Sequence, residues 1–237
     1  MKILLNFAGR GRFVQSQFKN SQTGLMAGFN VVYQMNESEI DSEFYNQNKE
    51  ILDQPRGAGY WLWKPYFINK ILSTMNDNDI LFYCDSGSHF IKRMEPIFSL
   101  AQDDNRGVVA FSLAGKHLEK HFTKRDVFIH MNMNMEEYSD TPQRAASFML
   151  FRGTAFAKEF VKEYLSVCTN KHLITDEPNG DGWIEPNFSG HRHDQSIWSL
   201  LTKKYNITVV PDLSQWGVDL KENSEDHQYM IHTRDSR

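Results

Sequence analysis

Two cysteines in 237 residues, Cys84 and Cys168, leave no disulfide framework to carry this fold. They stand far apart, one of them inside an apolar run, and both read as buried free thiols of a reducing compartment. No stretch approaches the roughly 18 consecutive apolar residues of a membrane span. Met1 to Ala8 is too short an apolar run for a signal peptide, and Arg10 and Arg12 follow it at once. Lysine and arginine never run longer than two residues and the formal net charge is -4, so the basic face of a nucleic-acid-binding protein is missing. Repeats, low-complexity tracts and a convincing linker are missing too. Together these absences predict a soluble, cytoplasmic, one-domain protein with no membrane span and no nucleic-acid partner.

What is present supports a packed core. Hydrophobic residues make up 40% and charged residues 24%, outside the range of wholesale disorder. Aromatics reach 13%, with 17 Phe, 9 Tyr and 5 Trp, enough for stacking surfaces beyond those the core consumes.

Along the chain, short apolar runs alternate with helical patterns. Lys2 to Ala8 reads as a strand broken by Gly9-Arg10-Gly11. Phe13, Phe18, Leu25 and Met26 then mark a loose helix ending near Gly28, and Asn30 to Gln34 a second strand. Glu37 to Leu52 reads as a helix capped by Asn36, and Pro55 to Gly59 as a loop. Trp63-Lys64-Pro65 opens another helix, with proline at the first helical position and Phe67, Ile68, Ile71 and Leu72 on one face. The turn Asn76 to Asp79 launches Ile80 to Cys84, a continuous apolar strand of the fully buried kind. Pro96 to Ala101 is a short helix, and Gly107 to Ser112 and Ala145 to Phe151 are strands. Thr154 to Val167 is a helix, Thr175 to Arg192 a long polar loop, Asp194 to Tyr205 a helix and Ile207 to Val210 a strand. From Asp212 on the chain reads as irregular. This alternation predicts an α/β fold with a mostly parallel central sheet flanked by helices.

Ligands of open parallel sheets bind beyond the carboxyl ends of the strands. Three polar features lie at such ends: Gly9 to Arg12, Asp85 to His89, and the segment after Val210. At the second, an apolar strand stops at an acid followed by Ser86-Gly87-Ser88. Asp85 there either binds a divalent cation on a diphosphate, or ribose hydroxyls, or only caps backbone N–H groups in a turn. Gly9-Arg10-Gly11-Arg12 fails as a dinucleotide fingerprint because Val14 stands at the sixth position, so its arginines are either phosphate contacts or solvated loop residues. Arg56 to Pro65 gathers glycines, three rings and two cations, a composition suited to close approach to a diphosphate; the bland alternative makes Trp61 and Trp63 core plugs. His191, His193 and Asp194 leave a metal-dependent hydrolase open as an alternative, and the aromatic surface leaves a non-catalytic carbohydrate-binding protein open.

Gly-Tyr-Trp-Leu-Trp-Lys-Pro at 59–65, Asn-Asp-Ile-Leu-Phe-Tyr-Cys-Asp-Ser-Gly at 78–87 and His-Asp-Gln-Ser-Ile at 193–197 resemble a family of GT-A-fold glycosyltransferases. Members decorate the capsids of large algal viruses or serve bacterial surface-polysaccharide synthesis. The resemblance implies a single GT-A domain over 1–237, with its nucleotide-binding part at about 1–112 and its acceptor side at about 113–237. It implies a UDP-sugar donor, a glycan or glycoprotein acceptor, and a Mn²⁺ or Mg²⁺ ion on the diphosphate, in the cytoplasm of a host cell if the protein is viral. Arg10, Arg56, Tyr60, Trp63, Lys64, Asp85, Ser86, Gly87, Arg144, Ala146 and Ser147 fall at the nucleotide sugar. Asp194 takes the place of the acid facing the acceptor, a base if the enzyme inverts. Asp85 and His232 are the implied metal ligands. Gly87 departs from the pattern, standing where the second acid of Asp-x-Asp belongs. The loop 176–190, carrying Trp183 and several acids, reads either as an acceptor-binding lid or as a disordered surface loop.

Overall fold

The apolar runs become strands β1 (Lys2–Phe7), β2 (Val31–Met35), β3 (Ile80–Cys84), β4 (Ser88–Phe90), β5 (Val108–Ser112), β6 (Arg144–Arg152), β7 (Thr208–Val210) and β8 (Met230–His232). The computed structural model describes residues 1–11, 13–113, 117–219 and 225–233. Six of the strands form one sheet in the order β2-β1-β3-β6-β5-β7, while β4 and β8 pair separately. Within the large sheet only β6 runs antiparallel to its neighbours, so the expected mostly parallel α/β sheet is present.

The sheet is buried on both faces, and β3 shows why its sequence reads as an unbroken apolar run. Leu81 and Tyr83 join a core cluster containing Phe67, Phe160 and Trp198. Ile80, Phe82 and Cys84 join a second cluster with Phe29, Phe98 and Phe111. Each large apolar side chain buried this way contributes about 1.5–3 kcal/mol. Two layers of helix supply the partners: α1 (Val14–Ala27), α2 (Trp63–Leu72), α3 (Glu95–Asp103), α4 (Ala155–Cys168) and α5 (His193–Lys204). Thr154 caps α4 by accepting the Ala157 N–H at 3.0 Å.

Four expectations need correction. Helix α1 exists, but the ring-bearing face is the wrong one: Phe18, Leu25 and Met26 are exposed while Gln17, Asn20, Ser21 and Gly24 are buried. The reason is Asn6 on β1, fully buried, whose amide donates to Asn20 Oδ1 at 2.8 Å and Ser21 Oγ at 2.9 Å. A polar pair inside the sheet requires a polar helix face over it. Glu37 to Leu52 breaks into a 3₁₀ turn and two short helices, although Asn36 does cap the first, with Glu39 completing the capping box. Pro65 is the third residue of α2, still within the turn whose N–H groups lack helical partners. The tail after Asp212 is not wholly irregular, since β8 returns to pair with β4.

Candidate functional site

β3 delivers Asp85 to the carboxyl edge of the sheet. The Asp85 N–H donates to Ser147 O at 2.9 Å, and its carbonyl accepts the Ser88 N–H at 3.1 Å, closing a turn. The carboxylate is one-third exposed and accepts the Tyr83 hydroxyl at 2.5 Å. Ser86 points inward, donating to Phe7 O at 2.6 Å, and the Gly87 carbonyl accepts from Thr233. The turn feeds directly into β4, where Ser88 is paired with His232 of β8, and Ser88 Oγ lies 2.9 Å from His232 Nδ1. Antiparallel pairing thereby carries a histidine from the chain's end to the acid's side.

Lys64 approaches from α2. Before it, Gly57, Ala58, Gly59, Tyr60 and Trp61 all have positive φ, a left-handed turn that disfavours L side chains by about 1–2 kcal/mol each. Glycine is needed at 57, because a Cβ there would fall 2.4 Å from the Trp61 ring, and at 59, where it would fall 2.8 Å from the Leu52 backbone. The turn places Lys64 Nζ, 3% exposed, 2.6 Å from Asp194 Oδ2 and 3.8 Å from Asp85 Oδ1, and the ammonium also donates to Ala146 O at 3.0 Å. Burial alone would lower Lys64, but the charges of Asp194 and Asp85 outweigh it and hold the ammonium above its ordinary value. Burial likewise pushes Asp194 up to about 6, against the pull of Lys64.

These groups line a cavity of about 550 Å³. Of the residues expected at the donor, Arg56, Lys64, Asp85, Ala146 and Ser147 line it, together with Asp194 and His232. Others form its frame. Arg10 donates to the carbonyls of Leu52, Asp53 and Gln54, fixing the segment before the left-handed turn. Trp63 stacks on Phe7 with ring centroids 3.7 Å apart, the core plug of the bland alternative. Arg144 opens β6, its backbone N–H donating to Ser199 Oγ at 2.7 Å. Tyr60 lies at the rim, its hydroxyl donating to Asp176 at 3.3 Å. Arg12 lies outside the described residues.

The cavity also takes Trp61, one of the three rings of the 56–65 block, and Gln195, Arg192, His117, Trp216 and Asp212, which were not expected as site residues. Asp212, 6% exposed, was signalled by its place after β7, one of the three strand ends noted for polar residues. Gln195 had no such signal. Its orientation is fixed by Gln143 Oε1, which accepts its amide at 3.0 Å, while its own oxygen faces the Ala146 N–H at 3.3 Å.

The hydrolase alternative lacks a ligand set. His191 directs Nε2 to Leu173 O at 2.8 Å and Nδ1 to the Lys124 N–H at 3.4 Å, and His193 directs Nδ1 to Ile174 O at 2.7 Å. Burial holds both imidazoles neutral, His191 well below its ordinary value and His193 down to about 4. Among the described residues no group of three or more His, Cys, Asp or Glu is arranged to hold a metal ion. Nor does any such group form around Asp85 and His232 among the described residues.

No protein-family model matches the chain, and no curated protein matches its sequence. Solved structures do match. The glycosyltransferase GlyE of Streptococcus pneumoniae TIGR4 is similar over 100% of this chain at 14% identity and a TM-score of 0.50; this chain spans only 56% of that one. A glycosyltransferase involved in glycosylation of the major capsid of PBCV-1 is similar over 99% of this chain and 94% of its own, at 10% identity and TM-score 0.55. The galactosyltransferase LgtC, solved with donor and acceptor sugar analogs, is similar over 99% and 87%, at 11% identity and TM-score 0.53. Identities this low carry the fold and no more: the chain has the α/β glycosyltransferase fold of the GT-A type that its motifs resemble. No helix among the described residues is long and apolar enough to cross a membrane.

Proposed function

We propose that the chain transfers a sugar from a nucleotide-sugar donor, a UDP-sugar, to a hydroxyl of a glycan or glycoprotein acceptor. The observation that carries this reading is the Asp85–Lys64–Asp194 line, with Lys64 and Asp194 buried and Asp85 one-third exposed, which sits in a cavity at the carboxyl end of β3 in a glycosyltransferase fold. Expelling a nucleoside diphosphate from C1 of the sugar places negative charge on the departing oxygen. A fixed ammonium in a water-poor site stabilises such charge better than a solvated one. Lys64, pinned by two carboxylates and a carbonyl, is preorganised for that task.

Asp85 is a hard-cation donor and His232 a borderline one, and both line the cavity. With two protein ligands, the rest of the coordination sphere must come from the diphosphate and water. A bound Mn²⁺ or Mg²⁺ would supply Lewis-acid neutralisation of the leaving diphosphate. Gly87 in place of a second acid agrees with a metal site that nucleotide completes.

Asp194 faces the acceptor in this reading. Held near 6 by burial, it is ionised at neutral pH and basic enough to take the proton of an attacking hydroxyl in an inverting reaction. In a retaining reaction it positions the sugar. Incubating the protein with Mn²⁺ and a panel of UDP-sugars, and following release of UDP, tests the proposal. Slow hydrolysis of one donor, lost in Asp85→Ala, is the expected result; hydrolysis or transfer of none would refute it.

A further inference from the structure

His193 is the first residue of α5, and its backbone is strained, with φ of 52°. Such strain in a non-glycine residue collects at functional sites. Its Nδ1 faces the Ile174 carbonyl at 2.7 Å, so the proton resides on Nδ1 and Nε2 carries a lone pair. That Nε2 is buried and has no hydrogen-bond partner among the described residues, although the imidazole lines the cavity. It faces another acceptor, Asp176 Oδ1, 3.8 Å away. Two acceptors facing one another call for donors between them.

The surroundings define which donors fit. Trp61 stacks on the imidazole at 5.4 Å and 22°, and Tyr60 lies 4.8 Å from it, giving an aromatic wall. Arg56 Nη1 lies 3.5 Å from Asp176 Oδ2, adding a donor beside the two acceptors. Arg56 and Asp176 are about half exposed, so the group sits at the mouth of the cavity, while Lys64 and Asp194 lie in its depth. A metal ion is a poor match, since no third ligand is at hand among the described residues. An anionic sugar would meet the Asp176 carboxylate. A neutral pyranose matches every feature: adjacent hydroxyls donate, its oxygens accept, and its C–H face packs on rings.

Resting on the transferase reading above, we propose that Arg56, Asp176 and His193 form the acceptor subsite and read two adjacent hydroxyls of a neutral pyranose. One hydroxyl donates to His193 Nε2 and its neighbour to Asp176 Oδ1, with Arg56 donating to a sugar oxygen. Asp176 belongs to the loop between α4 and α5 and is about half exposed, so its carboxylate is open to a sugar arriving from solvent. Binding exchanges an unpartnered acceptor for a made hydrogen bond, which makes the subsite selective for ligands that can donate there.

Saturation-transfer NMR with the methyl pyranosides of galactose, glucose and mannose, in the presence of UDP and Mn²⁺, tests the subsite. At least one is expected to bind the wild type and to shift the His193 Nε2 nitrogen resonance. Binding should weaken about tenfold or more in His193→Phe and in Asp176→Ala, and survive in His193→Gln, which keeps an acceptor oxygen. Asp176 is half exposed on a loop, so its variant reports on the subsite even if His193→Phe fails to fold. UDP affinity is measured in parallel by calorimetry. If UDP binds all variants but no methyl pyranoside binds the wild type, or all bind His193→Phe and Asp176→Ala undiminished, the subsite is refuted and the nucleotide reading stands. If UDP fails to bind the wild type, the transferase reading falls and takes the subsite with it.

Discussion

Lys64 Nζ lies 2.6 Å from Asp194 Oδ2 with both side chains 5% exposed or less, so a helix that precedes β3 is tied through charge to a helix that follows β6. Breaking a buried pair by removing one partner leaves an uncompensated charge. Lys64→Met is expected to destabilise the fold by about 3 kcal/mol in urea denaturation. Adding Asp194→Asn to that variant should recover part of the loss, because no buried charge then stands alone. Additive losses would mean the two groups do not depend on each other.

The pair also sets a pH dependence for turnover. Burial raises Asp194 to about 6, so it gains its proton as pH falls through that value and can then neither accept a proton nor hold Lys64 by charge. The expected kcat/KM profile for donor turnover falls on the acid side of about pH 6, tenfold per unit for one proton. In Asp194→Asn that acid limb should vanish while a low, flat rate persists. An unchanged acid limb in the variant would assign it to another group.

Stability should show a different pH signature. His193 is held down to about 4 and His191 well below its ordinary value, whereas both protonate near 6.5 in the unfolded chain. Between those values the unfolded chain binds two more protons, so folding weakens as pH falls. Asp194 has the opposite sign: raised to about 6, it binds its proton in the folded state first and cancels one of the two. His89 is lowered by burial as well, so the unfolded chain still holds the larger number of protons and stability should drop as pH falls from 6 toward 4. His193→Gln removes one of these imidazoles, and its melting temperature should fall less steeply than that of the wild type across the same window.

Much of this was legible in the sequence because the signals were local. The run Ile80 to Cys84 has one reading, a strand buried on both faces, and its abrupt end at Asp85 marks the sheet edge. The face of α1 was not legible: Phe18, Leu25 and Met26 carry the hydrophobic signal, yet the helix follows the buried Asn6, and a hydrogen bond across 14 residues leaves no periodicity. Gln195 was hidden for a related reason. It is a common polar residue whose place at the cavity depends on long-range contacts, such as its amide donating to Gln143 across 52 positions. The split roles of Trp61 and Trp63 were equally closed to sequence, since adjacent alternation says nothing of a left-handed turn that points one ring at the cavity and the other at Phe7.

The central claim is that Asp85 holds a nucleotide diphosphate through a metal that the protein ligates only in part. Calorimetric titration of UDP with and without Mn²⁺, and of Mn²⁺ with and without UDP, measures this directly. Because linkage is reciprocal, each ligand should tighten the other by the same factor. That coupling should be lost in Asp85→Ala and weakened about tenfold in His232→Ala. Equal UDP affinity with and without Mn²⁺ would contradict the shared site, and no UDP binding under either condition would contradict the account as a whole.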